Sequence, residues 1–83
     1  MSDLDDLFAS LTMLTGMTRT EWEDTLNLPP PGQALALKTY QDINWQRDAD
    51  TVQRIITIVE TIGSIGGAVG SVAGAVAALR ALL

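Results

Sequence analysis

The sequence predicts an all-α protein, and three observations predict it. Apolar residues recur at spacings of three and four along most of the chain, the period of one helix face. Hydroxyl or acidic residues stand three places ahead of acids and amides, the pattern of helix starts. From Gln33 to Leu83 there is no proline, and no glycine before Gly63. The expected architecture is two short N-terminal helices, a Pro-rich connector, and one long helix with an apolar Gly/Ala-rich C-terminal half. That half is a candidate membrane-spanning or oligomer-core helix. The chain divides accordingly into a short helical segment over 1–28, the connector over 29–32, an amphipathic helical segment over 33–60 and an apolar helix over 61–83.

The first helix starts at Ser2, with Asp5 three residues on and Asp3, Asp5 and Asp6 where the helix dipole favours negative charge. Leu4, Leu7, Phe8, Leu11 and Leu14 line one face, and Gly16 is the natural stop. Thr20 with Glu23 repeats the capping pattern for a second helix through "EWEDTLNL", which presents Trp22 and Leu26 together. Pro29 to Gly32, "PPPG", ends it and reads as a stiff connector rather than a polyproline ligand. Leu7, Phe8, Leu11, Trp22 and Leu26 are expected to pack against Leu37, Tyr40 and Trp45 as a small head. The long helix carries a weak point at Asp48 to Asp50 and, if continuous over 33–83, spans about 75 Å at 1.5 Å per residue.

Composition narrows the function. The 83 residues hold no cysteine and no histidine, which removes thiolate chemistry, the usual metal ligand and the usual general acid/base near neutral pH. Ten acids against five bases give a net charge of −5, unsuited to nucleic acid or to a polybasic membrane contact. No catalytic, cofactor-binding or metal-binding residues are expected, and no cofactor. Lys38 with Asp42 is a helix-surface ion pair. Glu60 is a boundary charge or a pore-lining one, and Arg80 a stabiliser of the last carbonyls. The start "MSDLDDLF" has neither the basic nor the apolar region of a secretory signal, so synthesis in the cytoplasm is expected.

All ten acids lie in residues 1–60, whereas 61–83 carry only Arg80. In the C-terminal part, Ile55, Ile58, Ile62, Ile65, Val69, Val72, Val76, Leu79 and Leu83 form one heptad-spaced stripe. Gly63, Gly66, Gly67, Gly70 and Gly74 form a second face with Ala77 and Ala81, while Ser64, Ala68, Ser71, Ala75 and Ala78 form a third. A helix with no charged side is buried in protein or lipid. Glycine costs about 1 kcal/mol against alanine in a soluble helix, so five of them point to close helix contact. The spacing of Gly66, Gly70 and Gly74 by four resembles the glycine zippers of membrane helices and oligomeric pores.

The expected interface therefore comprises those five glycines together with Ile62, Ile65, Val69, Val72, Val76 and Leu79. A knob face fitting the groove of the next copy makes a heterologous contact, which closes into a ring or runs on as a filament. Thr61 to Leu79 is nineteen uncharged residues, near the ~20 that span a bilayer core. The expected function is non-enzymatic: a homo-oligomer whose C-terminal helix inserts into or crosses a membrane, as a pore or as a virion component acting in ejection. The alternative is a soluble structural subunit whose C-terminal helix is buried in a multi-protein shell, tube or bundle.

Overall fold

A computed structural model describes residues 3–44, 48–65 and 71–83. These residues are all-helical: α1 (Asp3–Thr15), α2 (Arg19–Leu26), α3 (Pro30–Asn44), α4 (Ala49–Ile65) and α5 (Ala73–Arg80). None of these helices is long and apolar enough to cross a membrane.

Local chemistry accounts for the first two helices. Asp3, Asp5 and Asp6 occupy the first turn of α1, where the exposed N–H groups favour anions. Gly16 follows α1 with φ 75°, and its N–H returns to the Thr12 carbonyl at 2.8 Å; only glycine enters that region freely. The start of α2 lies two residues earlier than Thr20 with Glu23 implies. Thr18 caps it: its hydroxyl accepts the Glu21 N–H at 3.1 Å, and the Glu21 carboxylate accepts the Thr18 N–H at 2.9 Å. Glu23 instead takes Arg19 at 3.2 Å. Arg19 also binds Asp5 on α1 and lies 4.9 Å over the Phe8 ring. The four residues Thr18 to Glu21 fit the capping pattern as well as Thr20 to Glu23 do. Trp22 is fully buried and donates its indole N–H to Thr15 Oγ1 at 3.0 Å.

The proline run does less separating than expected. Pro30 and Pro31 form the first turn of α3, where a missing N–H costs nothing and the fixed φ suits the helix.

The single long helix from residue 33 to 83 is not found. Three helices, α3, α4 and α5, occupy that length, and the described chain measures 29 × 25 × 19 Å, far short of about 75 Å. The physical reason is burial. A rod would leave its apolar stripe in water, whereas folding back covers much of it within one chain. α1 packs on α2 and α4, α2 on α3, α3 on α5, and α5 on α4, closing a ring of helices. One core fills it, from Phe8, Leu11, Trp22, Leu26 and Leu37 through Val52, Ile55, Ile56, Val59 and Ile62 to Ala75 and Leu79. The expected head is thus part of a common core with the C-terminal segment. The Tyr40 side chain and Trp45 lie outside the described residues.

Gln33 fastens the point where three elements meet. It is wholly buried. Its Nε2 donates to the Leu26 carbonyl at 3.0 Å and to the Ser71 carbonyl at 2.7 Å. Its Oε1 accepts the Ala75 N–H at 3.1 Å, one of the donors that the first turn of a helix leaves without a partner. One amide therefore ties the end of α2 to the beginning of α5.

Candidate functional site

Among the residues expected to form an interface, the structure separates the inward from the outward. Ile62 and Leu79 are core residues. Val72 and Val76 are half-buried, and Ile65 is 49% exposed at the end of α4. Gly66, Gly67, Val69 and Gly70 lie outside the described residues. In α5 the buried face is Gly74, Ala75 and Leu79. The predicted stripe is therefore split: Leu79 turns inward with Gly74 and Ala75 of the small-residue faces, whereas Val72 and Val76 lie half-buried against the core. Leu83 is 58% exposed.

The two described glycines of the C-terminal segment make close contacts within the chain. A Cβ at Gly74 would fall inside the Pro30 main chain, 2.5 Å from its carbonyl carbon and 2.6 Å from its Cα. Gly74 thus lets α5 meet the start of α3 at backbone distance. A Cβ at Gly63 would stand 2.8 Å from Val72 Cγ2. Small residues here permit close packing, as the sequence implies, and their described neighbours belong to the same molecule.

The molecule also displays a groove. α1 and α4 run antiparallel, so the start of α1 lies beside the end of α4. At one end Ser10, Met13 and Leu14 of α1 face Arg54, Thr57 and Ile58 of α4. At the other, Asp3, Asp6 and Leu7 face Thr61 and Ile65, with Ser10 shared by both ends. The floor is apolar and half-buried, from Leu7, Leu14 and Ile58. Met13, 84% exposed, and Ile65 stand at opposite ends. Ile58 and Ile65 belong to the predicted stripe, yet the inward face of α4 runs through Val52, Ile55, Ile56, Val59 and Ile62. The stripe is rotated from the true inward face, and its outer members edge the groove. Period alone gives a direction only to within a residue or so.

Among the described residues, no group of three or more acidic, histidine or cysteine side chains is placed to hold a metal ion. A second hollow, between α4 and α5, has Glu60, Ser64 and Ser71 along it. There Glu60 faces Arg80 at 3.8 Å, Ser64 donates to the Glu60 carbonyl at 3.1 Å, and Ser71 Oγ accepts the Ala73 N–H at 3.1 Å. The hydroxyls serve the backbone, and the Glu60 pair is exposed. Arg80, in the last turn of α5, thus meets Glu60 of α4. The Asp42 side chain, expected to pair with Lys38, lies outside the described residues. Asp48 has a pKa held below the usual aspartate value, chiefly by the Thr51 hydroxyl and then by its N–H; this is the capping of α4. Sequence reasoning missed Gln33 and the α1–α4 groove. A glutamine near a helix start carries no signal of burial, and a groove arises only once two helices are paired. No family model, curated protein or solved structure matches the chain.

Proposed function

We propose that this chain is a non-enzymatic structural subunit that works by assembling with protein, its C-terminal segment buried in a helical bundle of its own making. One observation carries the reading: Gly74 seats α5 against the main chain of α3, and Leu79 and Ala75 fill the common core. The alternative expected from the sequence was burial among several proteins. In this reading the first cover is the chain itself, and the outer surface is left for partners in a shell, tube or virion-like assembly. Synthesis in the cytoplasm fits such a role.

The membrane reading keeps one supporting feature, the uncharged run Thr61 to Leu79. It now requires the bundle to open, exposing α4 and α5 and leaving their glycines free to join copies as a pore. Vesicle flotation with a mixture of neutral and anionic phospholipids separates the two. The structural reading expects the protein to remain in the aqueous fraction, fully helical without detergent. Co-flotation with leakage of an entrapped dye would overturn it in favour of the inserting oligomer.

A further inference from the structure

We infer that the α1–α4 groove is a self-association surface, on which a second copy of this chain seats its own α1–α4 groove about a two-fold axis. The inference rests on the reading of the chain as an assembling subunit and names the partner of its free face. The two ends of the groove are unlike. One carries Met13 and Arg54, the other Ile65, Asp3 and Asp6. A two-fold contact uses the same patch twice, and with its axis perpendicular to the groove it reverses the groove's direction. It therefore lays the Met13/Arg54 end of one copy on the Ile65/Asp6 end of the other. Each exposed apolar side chain meets an apolar neighbour, and each Arg54 meets carboxylates, twice per dimer. A contact of like ends would set acids against acids.

Charge assignment at the Arg54 end supports this. Arg54 has no ion pair among the described residues. Asp48, which has a described electrostatic link to it, has both carboxylate oxygens on Thr51. Asp50, one turn before Arg54, is exposed and does not line the groove. The middle of the groove is uncharged, with Ser10, Thr57 and Thr61. Those threonine hydroxyls donate to the carbonyls of Gln53 and Thr57 at 3.0 and 2.7 Å, so little polar hydration is lost on contact. From Asp3 to Leu14 the groove is about 16 Å long, which places the interface at the small end of specific contacts and makes the dimer a reversible one.

The test is sedimentation velocity on the full chain between about 10 μM and 1 mM, in about 50 mM salt so that surface charges are not fully screened. A concentration-dependent dimer is expected. Met13→Glu, at a position that bears on no core contact, should leave the circular-dichroism spectrum unchanged and abolish the dimer. Arg54→Glu and Asp6→Lys should each weaken association about tenfold, since each sets like charges together at both ends. Mixing the two variants restores a heterodimer. At one end the glutamate introduced in the first variant faces the lysine introduced in the second, and at the other the native Arg54 faces the native Asp6. A helical protein that stays monomeric throughout, or a dimer indifferent to these substitutions, overturns the inference while leaving the structural reading standing. Co-flotation with vesicles would instead defeat that reading itself.

Discussion

Replacing Gly74 by alanine adds one methyl group at the tightest point of the bundle. That carbon would lie 2.5 Å from the Pro30 carbonyl carbon and 2.6 Å from its Cα, and nearer still to the carbonyl oxygen. Comfortable carbon contacts begin near 3.5 Å, so α5 must retreat from α3 by about an ångström. The neighbour is backbone at the start of a helix and cannot swing aside. The same retreat stretches the Gln33 bonds to Ser71 and Ala75, now 2.7 and 3.1 Å, beyond useful length. Against this stands the helix preference for alanine over glycine, about 1 kcal/mol. Overpacking costs about 1–3 kcal/mol and each lost buried hydrogen bond about 1 kcal/mol. The net loss is about 3 kcal/mol, which lowers the Tm of a domain this size by roughly 15 °C. Two controls set the scale. At Gly63 the added carbon meets the Val72 side chain, 2.8 Å from Cγ2 and 3.3 Å from Cγ1, rather than main chain, so the loss is smaller. At Gly32 it meets Leu28 Cβ at 3.2 Å, on a residue 42% exposed beyond α2, and helix preference prevails. Thermal melts followed by circular dichroism should rank Gly74→Ala below Gly63→Ala, and Gly63→Ala below Gly32→Ala. An unchanged or raised Tm for Gly74→Ala would refute the intramolecular role of the glycine.

Three further outcomes follow from the same contacts. Thr18→Ala should cost about 1 kcal/mol in denaturant unfolding and Thr20→Ala nearly nothing; the reverse result would move the start of α2 to Thr20. Gln33→Leu keeps the bulk but strands the Leu26 and Ser71 carbonyls and the Ala75 N–H, and should lower stability by about 3 kcal/mol; a loss below about 1 kcal/mol would show that the clamp is not formed. Asp48 is depressed in the folded state, so its stabilising effect is present above the ordinary aspartate pKa near 4 and disappears as pH falls through the lower folded value. Thr51→Val should flatten that part of the acid-unfolding curve, and identical curves for the two proteins would rule the cap out.

The legible parts of the fold were those written in neighbouring residues. Gly16 stops α1 because a left-handed residue is needed there and glycine supplies it. Phe8, Leu11, Trp22, Leu26 and Leu37 reach the core as their spacing implies. Where two local readings compete, as with Thr18 and Thr20, neighbouring residues alone do not choose between them. The proline run carried two meanings, a stop for one helix and the first turn of the next, and the second positions Pro30 under Gly74. Gln33 and the groove were not legible at all, because each depends on helices far apart in sequence coming together.

The C-terminal segment shows why a composition boundary misleads. Charge changes abruptly after Glu60, yet residue 60 lies well inside α4. Cutting the chain there splits an amphipathic helix and discards its polar side. Viewed whole, α4 turns Gln53, Arg54, Thr57, Glu60, Thr61 and Ser64 to solvent and Val52, Ile55, Ile56, Val59 and Ile62 to the core. α5 has no such polar side, but the exposed residues of α5 and its C-cap are Ala73, Ala77, Arg80 and Ala81. An alanine methyl adds little apolar area, so leaving three of them in water costs far less than leaving a stripe of valines. A helix without charges must be covered on its bulky side only. In this chain Leu79 is that side, α3 and α4 are the cover, and glycine at residue 74 lets the cover come close enough to exclude water.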